Sequence, residues 1–185
     1  MSGFSKVDNQ ILKILLRVTS LVGKYFVNTN FDALYLEGFD FNACDIEESS
    51  FRGSNVRGGD FTNAVLFEVD FSGADLQGIS FDGAGFTRVR FDDADCSGYS
   101  NFINLQPITD YCSFLRANMD FCMFSGPFLN ADFTGAIITN ANFSNADLTG
   151  AVLPINANTK IKFKAIPGIL WDAITTIWTD GLPIG

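Results

Sequence analysis

Residues 61–81 read FTNAVLFEVDFSGADLQGISF. Phe61, Leu66, Phe71, Leu76 and Phe81 fall at every fifth position. Five matches neither the helical period of about 3.6 nor the strand period of two. Read outwards, the register runs unbroken from Phe31 to Cys96, through Phe31, Leu36, Phe41, Ile46, Phe51 and Val56, then on to Phe86 and Phe91. A second run holds Phe128, Phe133, Ile138, Phe143, Leu148 and Leu153 at the same spacing. A fixed short repeat means one small unit stacked many times. Such stacks present surfaces rather than catalytic pockets, so the pattern argues against an enzyme.

Phenylalanine takes every second centre of the first run, and aliphatic residues mostly take the others. If four units make one turn, residues twenty apart stack directly. Phe31, Phe51, Phe71 and Phe91 then form one ladder. Phe41, Phe61 and Phe81 form the facing ladder, and Phe133 and Phe143 of the second run are core-ladder residues as well. Leu36, Val56, Leu76 and Cys96 line a third side, and Ile46, Leu66 and Phe86 the fourth.

Three flanking positions sharpen the unit. Two residues before the aliphatic centres the side chain is small: Cys44, Ser54, Ala64, Ala74, Ala84 and Ala94; throughout the second run that position holds Gly126, Ala131, Ala136, Ala141, Ala146 and Ala151. A close-packed interior tolerates little more there. The residue just before a centre is often Asp or Asn, as at Asp40, Asp45, Asn55, Asp60, Asp70, Asp75, Asp95, Asp132, Asn142 and Asp147. Short polar side chains facing outward can bond to the backbone at corners. Two residues after a centre glycine recurs, at Gly38, Gly53, Gly58, Gly73, Gly78, Gly83, Gly98, Gly135 and Gly150. Glycine suits corners with unusual backbone angles.

The units Ala-Asp-Leu-Gln-Gly (74–78), Ala-Asp-Phe-Thr-Gly (131–135), Ala-Asn-Phe-Ser-Asn (141–145) and Ala-Asp-Leu-Thr-Gly (146–150) resemble pentapeptide repeats, Ala-(Asp/Asn)-Leu-X-X. The resemblance covers residues 29–153. It implies an all-β solenoid, a right-handed quadrilateral β-helix. At about 4.8 Å per coil, six or so coils make a rod of about 30 Å.

The ends depart from the repeat. Residues 1–28 are expected to form an N-terminal helical cap: over 8–26, Ile11, Leu12, Leu15, Val18, Leu21, Val22 and Tyr25 have helical spacing. Such a helix covers the first coil or docks a partner. Residues 154–185 form a C-terminal cap or dimerisation segment. There Leu170, Trp171, Ile174, Ile177 and Trp178 share one side of a short helix over 169–178, which plugs the last coil or pairs two chains into a homodimer. Between the two runs the register fails at Asn101 and resumes at Phe114, Met119 and Phe124. Residues 98–111 are therefore read as an irregular segment with Pro107 near its tip. An irregular segment on a regular scaffold is a natural seat for function. The candidate interaction residues are Tyr99, Phe102, Pro107, Trp171 and Trp178.

The formal charge is −9, with 21 acidic and 12 basic residues. That balance argues against direct nucleic-acid binding, since phosphates demand cations, and suits a basic protein partner. The chain has no histidine and four cysteines. Cys44, Cys96 and Cys122 fall on inward positions and read, like Cys112, as buried free thiols. No catalytic, cofactor-binding or metal-ligating set stands out. Glu47-Glu48 and Asp92-Asp93-Asp95 read as solvated carboxylates. No membrane span or secretion signal is expected, which leaves the cytoplasm as the expected location. Two functions fit: a non-catalytic scaffold for protein–protein interaction, or, as the resemblance allows, a DNA mimic that binds DNA gyrase or topoisomerase and protects it from inhibitors.

Overall fold

The computed structural model describes residues 20–107 and 109–154, together with the backbone of Ile177–Trp178. Within them the chain is an all-β solenoid of about six turns. Strands β1 (Tyr25–Val27), β2 (Asp45–Glu47), β3 (Val65–Phe67) and β4 (Gly85–Thr87) form one parallel sheet in chain order. Tyr25 pairs with Asp45, Asp45 with Val65 and Val65 with Gly85, so each coil advances by twenty residues. Single bridges repeat that step on the other faces: Asn30 with Ser50, Tyr35 with Asn55, Asp40 with Asp60. The inward centres stack in rows twenty residues apart, and each row with its flanking outward residues is called a face, by its first regular member: Phe31, Leu36, Phe41 or Ile46.

The short outward residues shape the turns. Asp40, Asn55, Asp60, Asp70, Asp75, Asp95, Asp132, Asn142 and Asp147 each accept the N–H two residues on through Oδ1. That bond mimics a backbone turn and fixes the corner. The Ile46 face differs. Val65 and Gly85 have no side-chain acceptor, and the chain stays extended through Phe67 and Thr87 to pair between coils. At the corners Gly38, Gly53, Gly58, Gly73 and Gly78 have φ between 60° and 69°.

The interior is filled by rings. Phe31, Phe51, Phe71, Phe91, Phe114 and Phe133 stack face to face with centroids 4.4–5.4 Å apart. Phe41, Phe61, Phe81, Phe102, Phe124 and Phe143 make the second ladder at 4.3–5.2 Å. Rings of one ladder meet the other edge to face, as Phe71 meets Phe81 at 5.9 Å. Offset stacking along the axis and edge-to-face contact across it both suit the ring quadrupole.

The regular step fails after Cys96. Ser80 bridges Asn101, an offset of 21, and Thr87 bridges Asp110, an offset of 23. One residue is therefore inserted near 97–100 and two more near 103–109. The centre after Cys96 is Phe102 rather than Asn101, and the fourth centre of that coil is Thr109, fully buried. The Thr109 hydroxyl stays satisfied by accepting the Phe86 N–H at 3.3 Å. Strands β5 (Asn101–Phe102) and β6 (Met123–Phe124) pair across the insertion. The next offset falls to 19, Ser113 with Asp132, and returns to 20 where β7 (Gly126–Pro127) pairs with β8 (Ala146–Asp147). The shortened corner holds Gly126 at φ 89°, where a Cβ would lie 3.0 Å from the Leu105 backbone nitrogen.

Both terminal helices expected from sequence are corrected where the structure reaches them. Over 20–26 the chain makes a turn and enters β1, and Leu21 is already buried like a repeat centre. Lys24 and its neighbours hydrogen-bond the next coil through their backbones, which a helix would forbid. Residues 1–19 lie outside the described residues. At the other end β9 (Val152–Leu153) pairs in parallel with β10 (Ile177–Trp178), so Ile177 and Trp178 continue the stack as strand rather than helix. The rest of the segment 155–176, Trp171 included, lies outside the described residues.

Candidate interaction surface

The solenoid spends its apolar side chains inward, so any site must lie on its faces and corners. The thiols are no exception. Cys44, Cys96, Cys112 and Cys122 are all buried and unbridged, and burial raises each thiol above its ordinary value, that of Cys112 to about 12. Among the described residues no group of histidines, cysteines or carboxylates is placed to hold a metal ion.

The acidic surface is partly neutralised. Arg52 faces Asp70, Arg57 Asp75, Arg88 Glu68, Arg90 Asp92 and Arg116 Asp93, with N–O separations of 2.6–3.9 Å. These pairs are exposed on the arginine side and contribute little to stability, but they cancel charge on the Phe31 and Leu36 faces and, at Arg88 and Glu68, on the corner between the Ile46 and Phe31 faces. The Arg116 guanidinium holds the exposed Asp93 carboxyl below its usual value. Arg88 also lies 4.9 Å from the centroid of the Phe67 ring. The Phe41 face carries Asp40, Asp60 and Asp82 and, among the described residues, no lysine or arginine. On the Ile46 face, burial and the neighbouring Glu47 raise the Asp45 carboxyl.

Exposed large apolar side chains are spread over the surface, from Tyr25 and Tyr35 to Ile137, but Tyr99, Phe121 and Met123 come together at one corner. Between the Leu36 and Phe41 faces, four coils turn on Gly38, Gly58, Gly78 and Gly98. The inserted Tyr99 follows with φ 68°, and one coil on Phe121 takes the glycine position with φ 62°. Their rings touch at 5.5 Å, tilted by 43°. Tyr99 remains 70% and Phe121 45% exposed. Met123, also exposed, stands on β6 opposite Asn101. At the corner between the Ile46 and Phe31 faces, Tyr111 has φ 51° and is exposed, in register with Arg88.

Of the candidate residues, Tyr99 is on the surface. Phe102 is not available to a partner: it is fully buried, stacked between Phe81 and Phe124. The insertion moved it onto a centre, and its size suits the ring ladder. Pro107 is exposed beside Gln106, whose amide donates to the Gly83 carbonyl at 2.9 Å. Trp178 lies on β10, with only its backbone described. Sequence reading missed Phe121 and Met123. The signal for Phe121 was present, since it stands two residues after the centre Met119, where glycine recurs.

The family model for pentapeptide repeats matches eight copies, over residues 25–63, 44–83, 64–98 and 128–153. No curated protein matches the chain in sequence. Among solved structures, full-length QnrB1, a plasmid-mediated fluoroquinolone resistance protein, is 19% identical over 82% of this chain and 85% of its own, with a TM-score of 0.53. A trypsin-treated variant of QnrB1 aligns at 18% identity over the same shares, with the same TM-score of 0.53. The pentapeptide repeat protein Rfr23 from the cyanobacterium Cyanothece 51142 is 17% identical over 92% of this chain and 97% of its own, with a TM-score of 0.43. At these identities the likeness to QnrB1 is one of fold.

Proposed function

Because the chain belongs to the pentapeptide-repeat family, we propose that it is a non-catalytic scaffold whose outer surface binds another protein. The observation that carries this reading is the filled axis. Two ring ladders run from Phe31 to Phe143 without a break, which leaves only the exterior for chemistry. Most outward Asp and Asn side chains there already serve the turns. The right-handed, four-sided winding, a cytoplasmic location and a basic protein partner belong to the same proposal. The pairing of β10 with β9 supports a C-terminal segment that covers the last coil rather than one that joins two chains.

Affinity capture with face variants tests it. Charge-reversing substitutions are made on one face at a time, and bound proteins are identified by mass spectrometry. The scaffold reading expects one partner lost with one face. Equal capture by every variant and by an unrelated acidic protein would refute it.

A second reading is supported by the fold likeness to QnrB1 and the net charge of −9. The rod would occupy the DNA-binding saddle of gyrase or topoisomerase as a DNA mimic, drawn there electrostatically. The arginine–carboxylate pairs on the Phe31 and Leu36 faces weigh against a uniformly phosphate-like surface. Quinolone-inhibited supercoiling by purified gyrase, with and without the protein, separates the two. Restored supercoiling that fades with salt favours the mimic, and no restoration favours the scaffold.

A further inference from the structure

We propose that the corner built by Tyr99 and Phe121, with Met123 beside it, docks a cationic segment of a partner protein, whose lysine or arginine side chain lies over the two rings. This rests on the scaffold reading and adds a place and a partner chemistry to it.

Three observations converge on that corner. The first is exposure in contact: two aromatic rings touch each other while both stay open to solvent. A soluble surface gains nothing by displaying such a pair, and displayed apolar clusters mark contact sites. The second is backbone conformation. Tyr99 and Phe121 sit in the left-handed region, at a corner where the preceding coils use glycine. Bulky residues adopt that region at a cost; it recurs at other corners with smaller or polar residues such as Ala33, Glu68 and Arg116, and among the described residues aromatic side chains take it at Tyr99, Tyr111 and Phe121. Neither ring repays that cost in the core, because the core ladders run through Phe102 and Phe124.

The third observation is charge. Asp120 directly precedes Phe121, and Asp95 stands on the same Leu36 face one coil earlier. Among the described residues neither this corner nor the Phe41 face beyond it carries a lysine or arginine. On the neighbouring faces Arg57 is committed to Asp75 and Arg116 to Asp93. An aromatic face attracts a cation through its quadrupole, and an acidic surround steers one towards it. The chain builds the same arrangement within itself where Arg88 lies over Phe67 and pairs with Glu68 at 2.7 Å.

The test uses the full chain and a displayed library of random short peptides as the probe. Peptides selected on the wild type are measured against a Tyr99→Gly/Phe121→Gly double variant and a Tyr111→Gly control. Glycine fits the left-handed backbone at each position, so both variants should melt no earlier than the wild type. The expected result is a set of peptides rich in Lys or Arg that bind the double variant at least ten-fold more weakly, keep their affinity for the control, and weaken several-fold with added salt. Peptides that bind the double variant as tightly as the wild type overturn the corner and leave the scaffold reading standing. Selected peptides without excess positive charge overturn the partner chemistry, as does self-association of the wild type that the double variant abolishes. Failure to select any binding peptide overturns both readings. A double variant that melts earlier shows that the rings brace the corner, which also overturns the proposal.

Discussion

Removing the Phe91 ring tests the ladder architecture at its centre. Phe91 is fully buried. It stacks on Phe71 at 5.4 Å and on Phe114 at 4.9 Å, both within 5° of parallel. Phe81, Phe86 and Phe102 meet it edge to face at 5.5–5.7 Å. Truncating a buried Phe to Ala costs about 3–5 kcal/mol, and more when the site cannot collapse. Here the neighbouring rings are held by backbone bonds between coils, including Phe71 N–H to Arg90 and Phe91 N–H to Ser113. Relaxation into the gap is restricted, so Phe91→Ala should fall in the upper half of that range. Phe91→Leu keeps most of the apolar volume and loses the ring pairs, for about 1–2 kcal/mol. Urea unfolding followed by circular dichroism measures both. Hydrogen exchange should show lost protection centred on the coils of Phe71, Phe91 and Phe114, because stacked repeats interact with their neighbours. A loss below about 2 kcal/mol for Phe91→Ala, or equal losses for the Ala and Leu variants, would refute a packed ring ladder.

The remaining predictions concern the inward small positions, the outer carboxylates and the thiols. Ala74 is buried and Ala141 only partly so, so Ala74→Leu should cost about 1–3 kcal/mol and Ala141→Leu clearly less, as read from unfolding midpoints. At Asp95 burial pushes the carboxyl up, but hydrogen bonds from Ser97 and Gln77 and the charge of Arg57 leave it below the ordinary 3.8. Its contribution should be complete above that value and fade as pH falls through the lower folded value, so the deficit of Asp95→Asn seen at neutral pH should shrink in acid. Asp45 has the opposite sign. Burial and Glu47 raise its carboxyl, so Asp45→Asn should raise the melting midpoint at neutral pH, and the gain should vanish below the ordinary 3.8. The four buried thiols should resist alkylation in the native protein and react fully in denaturant, because burial holds them protonated. Fast labelling of native Cys112 or Cys122 would contradict their inward placement.

Much of the scaffold was legible in the chain. Phe31 to Phe91 at alternate centres implied two ring ladders, because only side chains of one size stack uniformly along a narrow axis. The Asp and Asn before the centres implied corner bonds, which their Oδ1 atoms make. Asp45 is the exception, since its chain stays extended into Glu47 and pairs between coils. The terminal helices were misread over 20–26 and at 177–178. Leu21, Val22 and Tyr25 fit helical spacing and a repeat coil alike, and only the partner strand settles which hydrogen bonds form.

The candidate surface was harder to read, for a reason of register. Tyr99 and Phe102 looked alike as apolar residues of an irregular segment. An insertion of one residue sent Phe102 to a centre and left Tyr99 outside. Phe121 occupied a glycine position, and nothing in its own neighbourhood marked it as Tyr99's contact 22 residues away. The same holds for Arg116 and Asp93, joined across the insertion.

By itself the sequence determined the five-residue unit, its inward centres, its small companions and its polar corners, because each follows from the size and polarity of residues close together in the chain. Tertiary structure decided which coil lies over which once the offset left twenty, and thereby the buried Thr109, the tight approach of Gly126 to Leu105 and the exposed pair of rings. Those depend on contacts between coils, and after an insertion the height at which each residue meets its neighbour is set by hydrogen bonds from the adjoining coil, not by the local pattern.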